Sequence, residues 1–196
     1  FSENADTIYD ILRGWDGVES IDSKAAVAFH TIYIHLVQNI FQDELQSFGD
    51  ESLDTLHSLK YIRTQAIRSI FDGNASLWVD NVNTNNQETL SDIVNQSFDD
   101  AYNFLNEKYG NPTNLVWGDV HQVTFQHRLD GDPLVKKLIN FSEGPFPMAG
   151  SEMTPRAASY SVSNPFDVRA GSSMRRIIDF SNFDKGFSIL PTGQSG

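Results

Sequence analysis

His121 and His127 lie in a stretch where Val123 and Phe125 alternate with Gln122, Thr124 and Gln126. Period two puts both histidines on one face of a strand, where they could serve as ligands or acid–base groups. Six strand residues hold their Cα atoms about 20 Å apart, so they cannot meet on one metal ion. That leaves structural histidines, or one hydrogen-bonding member. His30 and His35 stand five apart within a helical pattern. They do not share a helix face, so they read as ordinary surface or core-edge histidines, not a zinc pair. Arg175 and Asp179 fall on one strand face with Ile177, which fits an ion pair supporting a sheet. Such a pair contributes little when exposed. The string Gly193-Gln194-Ser195-Gly196 lacks the spacing of a G-x-S-x-G nucleophile elbow and reads as a turn.

The elements that must position these residues fall into two kinds. Residues 1–110 read as a helical portion. A short helix runs through Arg13, capped by Asp6, and Trp15-Asp16-Gly17 is a turn. A second helix, capped by Asp22 or Ser23, has Ala26, Phe29, Ile32, Tyr33, Leu36, Val37, Ile40, Phe41 and Leu45 at helical spacing. A third starts at Asp50-Glu51-Ser52, with Leu53, Leu56, Ile62, Ala66, Ile67, Ile70 and Phe71 on its buried side. A fourth spans 88–109, with Leu90, Val94, Phe98, Ala101, Tyr102 and Leu105 facing inward, and Gly110-Asn111-Pro112 ends it.

Residues 111–196 read as a strand-rich portion. Strands are expected from Trp117 through His127 and at 153–160, 172–180 and 187–190. Residues 134–141 fit a short helix or a strand, and 144–150 a loop. Helices followed by strands mean α+β, with the two portions forming one incomplete domain.

Composition narrows the function classes. The net charge of −12 sits entirely in residues 1–110, which hold 18 acids against 6 bases; the remainder is balanced at 8 and 8. An acidic helical surface argues against non-specific nucleic-acid binding. No apolar run reaches the roughly 18 to 20 residues of a membrane span. Cysteine is absent, so disulfides play no part. Phe1 is not an initiator and Gly196 stops inside a turn-like run, so the sequence reads as a piece of a longer polypeptide.

Motif order then points to a family. Trp15-Asp16-Gly17 is followed by Trp78, Asp80, Thr84, Glu88 and Thr89, then by Trp117, Gly118 and His121. Ser173, Arg175 and Asp179 come next, and the chain ends on Leu190-Pro191-Thr192-Gly193-Gln194-Ser195-Gly196. Over nearly its whole length the sequence resembles the catalytic beta subunit of the penicillin acylase (penicillin amidase) family of N-terminal-nucleophile hydrolases.

The resemblance implies part of a four-layer αββα fold and a parent that cleaves an acyl amide, such as a β-lactam side chain or an acyl homoserine lactone. It implies a processed N-terminal Ser that is its own general base. Phe1 is not a hydroxyl residue. The nucleophile is therefore not in this chain, and the chain alone is expected to be inactive.

Gly150-Ser151-Glu152-Met153-Thr154-Pro155-Arg156 matches the family's oxyanion loop in position, with Arg156 where the family has Asn. Three readings follow: Arg156 substitutes as donor, the alignment slips, or the parent is not an ordinary amidase but a non-catalytic binding or assembly module. By resemblance, Arg175, with Arg169 as alternative, is the arginine held near the active site. The implied partners are a small acyl amide and the remainder of the same precursor, its alpha subunit and the rest of its beta subunit, with no nucleic acid and no membrane. Self-association of the fragment is expected from open sheet edges. No cofactor is implied; a structural calcium ion occurs in some relatives. The implied location is periplasmic or secreted.

Overall fold

A computed structural model describes residues 2–49, 51, 52, 55, 56, 59–74, 76–139, 141–162 and 164–190. The expected start of the third helix at Asp50, its Leu53 and the turn at 191–196 lie outside the described residues.

Helix α1 (Glu3–Leu12) is capped by Ser2, whose hydroxyl accepts the Ala5 amide; Asp6 falls inside its first turn instead of capping it. Helix α2 (Lys24–Gln46) is capped by Ser23 in the same way. Its run Ala25-Ala26-Val27-Ala28 is buried, and small side chains there let neighbours approach the backbone. Helix α3 (Lys60–Phe71) buries Ile67 and Ile70, but Ile62 and Phe71 face solvent while Arg63 is buried. The buried face is thus rotated from the one that apolar spacing implies, because an ion pair holds Arg63 inside. Helix α4 (Leu90–Tyr109) begins with a capping box between Thr89 and Asp92 and ends on Gly110 at φ 86°.

Two cores meet along α2. Val27, Ile32 and Ile34 pack with Ile8, Ala101, Leu105, Trp117 and Phe166, while Leu36, Val37, Ile40 and Phe41 pack with Ile67, Ile70, Val79 and Ile93.

Trp117 does not open a strand. Asp119 accepts the Val116 amide, and Trp117–Val120 closes into one helical turn, α5. Strand β1 is only Gln122–Phe125. His121 lies just before it and is buried, whereas His127 lies beyond it and is exposed, so they do not share a strand face. Helix α6 (Pro133–Leu138) follows, then β2 (Glu143–Pro147) in the stretch whose composition implies a loop. Its prolines are tolerated because β2 is an edge strand.

The sheet order is β2-β1-β4-β3, with β3 at Ala158–Ser161 and β4 at Asn164–Gly171. Strands β5 (Arg175–Ile178) and β6 (Gly186–Ile189) form a separate antiparallel hairpin. The class is α+β as expected, but β1 and β4 run parallel through the pairing of Val123 with Val168. Strand β4 falls between the strands expected at 153–160 and 172–180, although Phe166, Val168 and Ala170 alternate there with Asp167 and Arg169.

Candidate active-site pocket

Between β1, β4 and the β5–β6 hairpin lies an open cavity of about 570 Å³. Its walls are largely apolar, from Val123, Phe125, Phe146, Met148, Val168, Ile189 and Leu190. Arg156, Arg169 and Arg175 all line it, although the first and last stand 19 positions apart in the chain. Pairing of Arg175 with Ile189 across the hairpin puts both on the same wall. Among the described residues no Asp or Glu lines the cavity. Among the described residues none of the three arginines makes an ion pair. The pair with Asp179 that strand spacing implies is not formed. Asp179 lies past the end of β5, and its carboxylate instead accepts the amide and hydroxyl of Ser181.

Such a cavity can hold an apolar chain and meet negative charge with guanidinium donors. Thr124, Ser172 and Ser173 supply hydroxyls, but among the described residues of the lining no His, Asp, Glu, Lys or Tyr stands beside them to act as base.

Arg156 reaches the cavity on a bend, not on the strand expected over 153–160, which is shortened to β3. The Thr154 hydroxyl accepts the Ser151 amide at 3.0 Å and donates to the Arg156 carbonyl at 3.0 Å. Ser151 Oγ accepts the Met153 amide, and the Ser151 carbonyl accepts the Ala158 amide at 3.2 Å. Glu152, the acid nearest in sequence to Arg156, pairs instead with the buried Arg63, which also donates to the Tyr33 hydroxyl.

Behind this loop is a buried polar network that sequence periodicity did not disclose. The Trp117 indole lies between the His30 and His121 imidazoles, at centroid distances of 4.6 and 4.3 Å and within 16° of parallel. The helical turn of α5 creates the second stack, since Trp117 and His121 are four residues apart and face the same way. His30 Nε2 lies 3.1 Å from Glu19 Oε1, and its Nδ1 lies 2.9 Å from the Tyr160 hydroxyl. Burial alone would raise the Glu19 carboxyl, but the hydrogen bond and charge of His30, with help from Ser151, hold it below its usual range. An ionised Glu19 only accepts, so His30 Nε2 donates to it, while Nδ1 and the Tyr160 hydroxyl share the second hydrogen bond.

His121 Nδ1 donates to the Phe166 carbonyl at 2.8 Å. Burial pushes the His121 imidazole down to about 4, against the opposing effect of that hydrogen bond, so at neutral pH the ring is uncharged. The hydroxyl–imidazole–carboxylate connectivity of Tyr160, His30 and Glu19 is that of a catalytic triad. However, His30 is completely buried and Glu19 nearly so, and neither lines the cavity. Their role in the described structure is to brace it. Among the described residues no group of three or more His, Asp and Glu side chains is arranged to hold a metal ion.

A sequence profile of the penicillin amidase family matches residues 2–196. The chain belongs to the penicillin amidase family. It is 26% identical over 193 residues to the acyl-homoserine lactone acylase QuiP of Pseudomonas syringae pv. syringae (strain B728a), covering 94% of this chain and 23% of that protein. To the protein of the same name from Pseudomonas aeruginosa (strain PAO1) it is 24% identical over 208 residues, covering 96% of this chain and 24% of the relative. The chain thus spans about a quarter of the length of the curated relatives it matches.

Proposed function

We propose that the polypeptide carrying this chain is a linear-amide amidohydrolase that cleaves an acyl amide, of the β-lactam side-chain or acyl-homoserine-lactone kind, through an N-terminal Ser lying outside these residues. The observation that carries this reading is the convergence of Arg156, Arg169 and Arg175 on one apolar-walled cavity without a carboxylate among its lining residues. In the reaction proposed, the amino group of the N-terminal Ser takes the hydroxyl proton as its oxygen attacks the acyl carbon. Negative charge develops on the carbonyl oxygen, and Arg156 donates to it. A preorganised donor aimed at that charge contributes about 3 to 4 kcal/mol to the rate. Arg175, with Arg169 as alternative, holds the polar part of the substrate, and Val123, Phe125 and Met148 contact its acyl chain. The setting proposed is periplasmic or secreted, within an αββα arrangement completed by the alpha subunit and the rest of the beta subunit.

A second reading, a binding or assembly module without catalysis, is favoured by the Arg at the family's oxyanion Asn. The deciding experiment expresses the full gene, confirms processing to an N-terminal Ser by Edman degradation or mass spectrometry, and measures amine release from N-acyl anilides and acyl homoserine lactones. Processing with turnover that stops on Ser→Ala supports the enzyme. A processed, folded protein that binds acyl amides without turnover supports the second reading.

A further inference from the structure

We infer that Trp117 is a positioning residue for Arg156, acting through Gly150, with Arg63 as the second anchor of the same loop. Its catalytic consequence rests on the reading of Arg156 given above; its geometry does not. Trp117 is fully buried, and neither it, Gly150 nor Arg63 lines the cavity, so none of them can touch a substrate there.

The indole Nε1 donates to the Gly150 carbonyl at 3.0 Å. The Gly150 amide donates to the Glu19 carbonyl at 2.8 Å. Gly150 is therefore held at both ends of its peptide framework by the buried network. The imidazoles against the two faces of the indole leave it only in-plane movement, and the bond to Gly150 opposes that movement. Gly150 in turn sits beneath Arg156. Its φ is +82°, and a Cβ placed on it would lie 2.2 Å from the Arg156 carbonyl oxygen and 3.1 Å from the Arg156 Cβ. The Thr154 hydroxyl, which the same Cβ would meet at 2.8 Å, donates to the Arg156 carbonyl and so ties it directly over Gly150. The second anchor is the ion pair of Arg63 with Glu152, in the middle of the loop, with the Arg63 guanidinium 5.5 Å from the Tyr33 ring centroid. Two buried points thus fix the loop whose free end carries Arg156 to the cavity.

Trp117→Phe is the test, made in the protein expressed from its full gene. It deletes the Nε1 donor while keeping an aromatic ring between the two imidazoles. Amide hydrogen exchange across 148–157 is expected to quicken at least tenfold while α4 is unchanged. The kcat for amide hydrolysis is expected to fall about tenfold with KM within twofold, and W117F is expected to have no further effect on kcat in an Arg156→Ala background. Unchanged exchange across the loop overturns the inference. So does an equal loss of kcat in both backgrounds, which would mean that Trp117 acts on something other than Arg156. Should W117F not fold, Glu152→Gln, whose side chain is 15% exposed, tests the second anchor by the same two readouts and criteria. If Arg156→Ala alone leaves kcat unchanged, the catalytic reading of Arg156 falls, and loop exchange still decides the anchoring.

Discussion

His30 Nε2 and Glu19 Oε1 lie 3.1 Å apart in a space almost closed to solvent, with 0% and 4% of their side chains exposed. This contact joins the turn before α2 to the helix itself. Through Tyr160 and the Trp117 stack it extends to β3 and α5.

Stability should therefore depend on pH. Glu19 has a folded pKa below its ordinary 4.5, so its contribution is present above about pH 4.5 and is lost as pH falls through the folded value. His121 is neutral when buried and titrates at about 4 instead of 6.5. The unfolded chain binds that proton first as pH falls, so stability is lost from 6.5 downward to about 4. That interval corresponds to about 3 kcal/mol. Glu44 works the other way, since burial first and then Asp43 raise its carboxyl to about 7. The comparison must therefore isolate His121. Urea midpoints for the wild type and His121→Asn between pH 7 and pH 4 should converge as pH falls. Parallel profiles would show that His121 does not titrate as its burial implies.

Two glycines with similar φ should respond differently to alanine. Gly110 has φ +86° and Gly150 φ +82°, but a Cβ on Gly110 meets nothing within 4 Å while one on Gly150 meets the Arg156 carbonyl oxygen at 2.2 Å. Gly110→Ala carries only the strain of a backbone region (φ 86°, ψ −159°) that essentially glycine alone adopts, about 1 to 3 kcal/mol. Gly150→Ala adds a backbone collision and should cost at least about 1 to 2 kcal/mol more than Gly110→Ala in urea denaturation. Equal costs would mean that the 150–156 loop yields freely.

Helix positions were largely legible because their signal is local. Ala101 and Leu105 are buried where a 3.6-residue period places them, and the Thr89–Asp92 box marks the start of α4 within two residues of the expected one. The strand-rich portion was less legible, because β2 contains Pro145 and Pro147 and the turn of α5 interrupts an apparent alternation. Arg156, Arg169 and Arg175 could be singled out by likeness to a family, but their approach to one cavity is set by the pairings of β1 with β4 and of β5 with β6, at residue separations that no periodicity reports. The Glu19–His30–Trp117–Gly150 chain was not legible at all. Its members share no spacing, and burial is the only property common to Glu19, His30 and Trp117.

The hairpin presents apolar surface. Ile177 and Phe187 face each other across it at 71% and 76% exposure, with Ile189 at 60%. Adjacent apolar side chains on an unpaired two-stranded ribbon favour association with another chain. The isolated chain is therefore expected to self-associate at high micromolar concentration in light scattering, and Ile177→Thr with Phe187→Lys is expected to reduce this markedly. A wild-type chain that stays monomeric under those conditions would rule out the hairpin as an associating surface.

The last expectation concerns Arg156 in the protein expressed from its full gene. Its side chain lines the cavity, makes no ion pair among the described residues and is carried by a loop held at Gly150 and Glu152. The nearest acid in sequence, Glu152, is already paired with Arg63, which removes the simplest structural reason for an arginine here. If Arg156 donates to the developing oxyanion, Arg156→Ala should lower kcat by about 100-fold or more with folding nearly intact, because one lost donor has that effect. Lys should rescue poorly, since its ammonium is a point charge without the planar fork of a guanidinium. Asn is the informative replacement: if the proposed site works with a side-chain amide donor, Arg156→Asn should keep or raise activity. If all three variants stay within a few fold of the wild type, Arg156 is not the donor, and the non-catalytic reading of the fold gains accordingly.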